Sequence, residues 1–129
     1  MSRRGERGQA LVEAAMTSLV LFLVVFGIID FGRAMFSYHA VANGARMGTR
    51  YALVNGYDSG HMTTGAYVQT YVQGLMPIED PNDVTVTTTW QDGGKVGTWV
   101  RVQVAYNFQF IIPVASITMT SHSQIVVAR

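Results

Sequence analysis

At 129 residues the chain has room for one domain, or for one membrane helix and a small domain. Apolar residues make up 49% and charged residues 13%, where roughly a quarter charged is usual for a soluble domain. A net charge of +1 supplies no field for nucleic acid or an acidic substrate, and the lack of cysteine excludes disulfides, thiolate chemistry and cysteine-ligated zinc.

Arg3, Arg4 and Arg7 form a basic head that ends at Gly8. Glu13 follows, and the sixteen residues from Ala14 to Ile29 carry no charge. Gln9 to Ile29 is 21 residues. At about 1.5 Å per residue this spans roughly 30 Å, one hydrocarbon core. A transmembrane segment is expected at about residues 11–29. A secretory signal would be shorter and followed at once by a small-x-small site. Ala40-Val41-Ala42 has that form but lies beyond Asp30 and Arg33. A buried core helix is disfavoured, because the remaining chain is too small to surround it. Arg33, Arg46 and Arg50 after the span balance the three arginines before it, so charge alone does not set the orientation.

The helix is expected to continue to about Leu53. Phe31, Ala34, Met35, Tyr38, Val41, Ala42, Ala45 and Ala52 recur at three- and four-residue spacing. Asp30 and Arg33 can pair across one turn. One helix over residues 9–54 results, apolar first and amphipathic afterwards. Gly44 and Gly48 read as close packing against the domain. Gly27 and Gly32 suggest a possible hinge, where the helix loosens or bends.

Asn55 to Gly60 reads as a turn-rich break. Thr63-Thr64 can cap a short helix from Gly65 to about Met76, with Ala66, Tyr67, Tyr71, Val72 and Leu75 as its apolar stripe. Pro77 and Pro81 frame its exit. Val84, Val86, Thr88 and Trp90 then share one strand face, with Thr85, Thr87 and Thr89 on the other. Asp92 to Gly97 is a hairpin loop. Val100, Val102, Val104, Tyr106, Phe108 and Phe110 form the apolar face of a second strand. Pro113 interrupts, and a third strand runs from about Ile117 to Val127. The expected fold class is α+β: a long N-terminal helix packed on a small antiparallel sheet of about three strands, with one short extra helix. The domain division is a leader at 1–8, the long helix at 9–54 and a head at 55–129.

Residues with catalytic potential are sparse. His39, His61 and His122 have no helical ligand spacing and no acid cluster beside them. Asp58 and His61 share a loop that reads as solvated rather than metal-binding or catalytic. No serine stands in a nucleophile elbow, and Gly93, Gly94 and Gly97 lack the following helix a phosphate loop needs. Tyr51, Tyr57, Tyr67 and Tyr71 suit packing better than base stacking, since no basic groove accompanies them. No enzyme, cofactor, metal, nucleic-acid or small-molecule substrate role is expected.

A basic head, a glycine, a glutamate at the fifth position after it and an apolar helix resemble a class III (type IV) prepilin signal. That resemblance implies cleavage between Gly8 and Gln9 by a dedicated prepilin peptidase, and a cytoplasmic N-terminus before processing. Gly8-Gln9-Ala10 with Glu13, Asp30-Phe31-Gly32-Arg33, and Asn43-Gly44-Ala45-Arg46 with Gly48, Arg50, Tyr51 and Ala52 together resemble TadE-like proteins, pseudopilins of tight-adherence (Tad, Flp) pili. The similarity covers about 45 residues; the β-rich part fits in outline. Ala14 stands where the small Flp major pilins typically have tyrosine, so the resemblance implies a minor component. It also implies membrane lipid, other Tad pilins and pseudopilins, and the assembly platform as partners, in adhesion, biofilm formation or secretion. In that setting one subunit's Glu13 meets an ammonium in an apolar bundle. Mispairing would leave a buried, unpaired charge, which makes the acid a registry device. The alternative is a single-pass anchored binding module outside the cytoplasmic membrane that never enters a filament; an exported small enzyme is a third reading.

Overall fold

The computed structural model describes residues 3–57, 65–78, 80–111 and 115–128. The chain forms two compact units, Met1–Ala34 and Met35–Arg129. Helix α1, Arg3–Tyr57, begins in the first and ends in the second. In the first unit every side chain from Gly8 to Ile29 is exposed.

The second unit is α+β. After α1 come α2 (Gly65–Leu75), a 3₁₀ turn at Pro81–Asp83, and strands β1 (Val84–Trp90), β2 (Trp99–Gln109) and β3 (Ser116–Val126). The strands form one antiparallel sheet in the order β1-β2-β3, with Val86 opposite Val104 and Val104 opposite Ser121. Period-two alternation sorts the two faces. Val84, Val86, Val100, Val102, Val104 and Phe108 are buried, while Thr85, Thr87, Thr89, Arg101, Gln103, Asn107 and Gln109 are exposed on the other side. The buried valines meet Val41, Ala45 and Ala52 of α1, Val68 and Val72 of α2, and Met76 just beyond it. Between β1 and β2, Gly94 and Gly97 take positive φ of 76° and 86°, where a side chain would be strained.

The buried face of α1 is rotated from the expected stripe. Ser37, Val41, Gly44, Ala45, Gly48, Thr49, Ala52 and Gly56 point inward, whereas Phe31, Met35 and Tyr38 are exposed. Small side chains win this face because the helix lies close to its neighbours. A Cβ added at Gly48 would sit 2.8 Å from Val72 and 3.1 Å from Val102. In α2 the buried residues are Val68 and Val72, while Ala66, Tyr67 and Leu75 of the expected stripe are exposed. The stripe turns because α2 meets the glycine face of α1, where Val72 approaches both Gly44 and Gly48.

Two boundaries also move. Asn55 and Gly56 are helical rather than the start of a break, and the Asn55 amide donates to the Tyr51 carbonyl one turn back. Strand β2 stops at Gln109, and Phe110 beyond it packs edge-on against Phe108. The Thr63-Thr64 cap, the Asp58 and His61 loop and Pro113 lie outside the described residues.

The close packing at Gly48 predicts a contrast between two glycines. Gly48→Leu should lower stability by on the order of 3 kcal/mol through overpacking. Gly27→Ala should be neutral or slightly stabilising, because a Cβ there meets nothing within 4 Å and alanine favours helix by about 1 kcal/mol. Thermal melts of the two full-length variants in detergent check both.

Candidate anchor and assembly segment

The N-terminal part of α1 forms because its residues are helix-compatible and nothing interrupts them: no proline occurs before Pro77. Gly8, Gln9 and Glu13 are all exposed on it. Their neighbours are apolar and equally exposed, with Leu11 at 71% and Val12 at 61%. Glu13 is the sole charged residue between Gly8 and Ile29. Among the described residues this is one helix long and apolar enough to cross a membrane, and no part of its apolar window is buried. A run of this size left wholly uncovered needs lipid or another protein around it.

At the end of the run Asp30 is buried and Arg33 donates to its carboxylate at 3.1 Å. Phe31 and Gly32 between them are exposed. Helix α1 is unbroken at Gly27 and Gly32, and a Cβ at either would meet nothing within 4 Å. Close packing therefore explains Gly44 and Gly48 but not these two.

The later motif positions divide by helix face. Ala45 and Gly48 are buried against the head, while Asn43, Arg46 and Arg50 point to solvent. Tyr51 is half-buried and stacks on Tyr71, with ring centroids 4.1 Å apart and planes 14° from parallel. One half of the motif thus packs the head, and the other half presents an amide and two guanidiniums. Glu13 belongs to the other unit. Among the described residues no group of three or more His, Asp or Glu side chains is placed to hold a metal ion.

Two contributors escape a reading of the sequence. Thr49, buried in α1, has its hydroxyl 2.7 Å from the Ala45 carbonyl and 3.2 Å from the Ser123 carbonyl, tying α1 to β3. Its signal was a hydroxyl residue among the small residues Ala45, Gly48 and Ala52. The Trp90 ring fills the space that a side chain at Gly56 or Gly94 would need, and nothing in the local pattern announces that pairing.

Residues 8–50 match the family of TadE-like proteins. The TadE-like segment opens at Gly8, takes in Glu13, the exposed apolar run and the Asp30–Arg33 pair, and ends at Arg50. It leaves the sheet outside. Neither curated proteins nor solved structures give a match to this chain.

Proposed function

We propose that this chain is a TadE-like minor pilin or pseudopilin that takes part in assembly of a tight-adherence (Tad, Flp) pilus serving adhesion, biofilm formation or secretion. One observation carries the reading: the family match falls on a helix whose apolar surface is wholly uncovered from Gly8 to Ile29 and interrupted by a single acid, Glu13. On this reading residues of about 11–29 sit in the cytoplasmic membrane. The N-terminus is cytoplasmic before processing, and the head at 55–129 is extracytoplasmic. A prepilin peptidase removes residues 1–8, and Glu13 then pairs with an ammonium of a neighbouring subunit. Lipid, other Tad pilins and the assembly platform are the partners, and the chain performs no catalysis.

The mature N-terminus tests this. A membrane-fraction species beginning at Gln9 supports the pilin. An intact leader supports a static anchored binding module, and a start after Ala42 supports a released protein. Gly8→Val should block the cut, because a β-branched side chain does not fit where a small or absent one is required. Mass spectrometry of the membrane fraction should then show Arg3, Arg4 and Arg7 retained. A Gly8→Val product that begins at Gln9 would contradict the assigned site.

A further inference from the structure

The two ends of the sheet differ in chemistry. Between β1 and β2, residues 91–98 carry Asp92 and Lys95, both exposed, and one bulky apolar side chain, Val96. The β2–β3 end is uncharged: no Asp, Glu, Lys or Arg stands between Arg101 and Arg129. Yet Ile111, just past β2, is 47% exposed, and Ile117, opposite the buried Phe108 at the start of β3, is 48% exposed.

This end is also where α1 enters the second unit. Gly56 of α1 lies against the Trp90 ring, and Trp90 pairs with Val100. Further back along α1, Gly48 lies against Val102, and Thr49 reaches Ser123, the cross-strand partner of Val102. Strand β2 therefore runs opposite in direction to α1. Continued the same way, Phe110 lies about 26 Å along β2 from Val102, and Met35 about 20 Å along α1 from Gly48. Both belong to one end of the unit. Met35 and Phe36 are exposed there too, Phe36 at 58%.

Only six residues separate Met35 from Ile29, the last of the apolar run, a reach of about 20 Å even when fully extended. A bilayer that holds the run therefore lies within that distance of Met35. The bound comes from chain length, so it holds however the two units are arranged. We propose that this end of the head, through Ile111, Ile117, Met35 and Phe36, inserts shallowly into the lipid surface that holds the anchor. The proposal rests on the anchor reading above.

Lipid is the occupant that suits these groups. They supply apolar area and no charge, which is what an interface takes up without a matching shape. The depth is limited by Asp80 and Asp83, both exposed. Asp83 precedes Val84, which pairs with Tyr106; Tyr106 stands four residues before Phe110, roughly 13 Å back along the strand. Insertion by about 5–10 Å buries the isoleucines and leaves both acids in water. In α1 the first cation after Met35 is Arg46, about 16 Å further along the helix. Zwitterionic lipid therefore suffices, and salt has no effect.

The test uses the full-length protein in phosphatidylcholine vesicles, with and without bromine on the acyl chains. The chain has no cysteine, so Ile111→Cys, Ile117→Cys, Lys95→Cys and Leu19→Cys each take a single environment-sensitive fluorophore. Brominated lipid should quench the labels at 111 and 117 by about twofold or more, as befits groups seated at the acyl boundary. It should leave the label at 95 unquenched, and the result should be the same at low and high salt. Ile111→Asp should relieve the quenching at 117 with the circular dichroism spectrum unchanged. If that variant unfolds the head, Phe36→Asp, at an exposed site on the same end, should give the same relief. Labels at 111 and 117 that are unquenched overturn the proposal. So does a shift to apolar emission without quenching, which means a protein covers this end, or equal quenching at 95. The label at 19 separates the two ideas. Quenching at 19 without quenching at 111 and 117 refutes the insertion and keeps the anchor. Quenching at 111 and 117 without quenching at 19 refutes the anchor and keeps the lipid contact of the head.

Discussion

A protein that begins at Asn55 should show no cooperative thermal transition, whereas one that begins at Met35 should melt cooperatively. The shorter chain lacks Val41, Ala45 and Ala52, which are wholly buried against the sheet valines. It also loses the Thr49 hydroxyl that reaches the Ser123 carbonyl and the Tyr51 ring stacked on Tyr71. Without them Val100, Val102 and Val104 meet water. At about 25 cal/mol per Å² of apolar surface, uncovering several hundred Å² costs on the order of 10 kcal/mol, comparable to the stability of a whole domain. Short helix α2 cannot compensate, since it buries only Val68 and Val72. Circular dichroism melts of the two proteins decide the matter. A cooperative transition in the shorter one would show α1 to be a mere tether, and would favour an independent anchored module over a pilin.

Glu13→Gln should still insert into the membrane but should abolish piliation. Glu13 is the one charge in an otherwise uncovered apolar run, in the segment that matches TadE-like proteins. A carboxylate in such a run is disfavoured by about 2.5–3.5 kcal/mol at the bilayer centre and by less near an end. Neutralising it eases insertion, so membrane content should hold or rise. The ammonium it is proposed to meet would then be left without a countercharge in an apolar bundle, by far the costlier defect. Immunoblots of the membrane fraction and counts of surface pili give the two readouts. Normal piliation in this variant would sink the registry role.

Much of this architecture was legible in the sequence because it rests on short-range periodicity. The 21 residues from Gln9 to Ile29 are apolar enough to declare a span before any fold is known. The alternation of valine with threonine in β1, and of valine with arginine and glutamine in β2, declares strands with one wet face. Asp30 and Arg33, three residues apart in a helix, were bound to come within reach, and the motif residues from Gly8 to Tyr51 are visible by type and spacing alone.

What periodicity could not decide was which helix face turns inward. Apolar size pointed to Phe31, Met35 and Tyr38, and to Tyr67 and Leu75 in α2; all five are exposed. Burial here is set by how closely two backbones approach, and that depends on partners distant in sequence. Val72 and Val102 come so near α1 that only glycine fits at position 48. The same long-range packing placed Thr49 against Ser123, 74 residues away, and brought the Gln73 amide to the Val84 carbonyl at the start of β1. Local sequence determined the elements, the apolar run and its acid. Tertiary structure alone decided which small residues form the core, because that depends on contacts that no local period encodes.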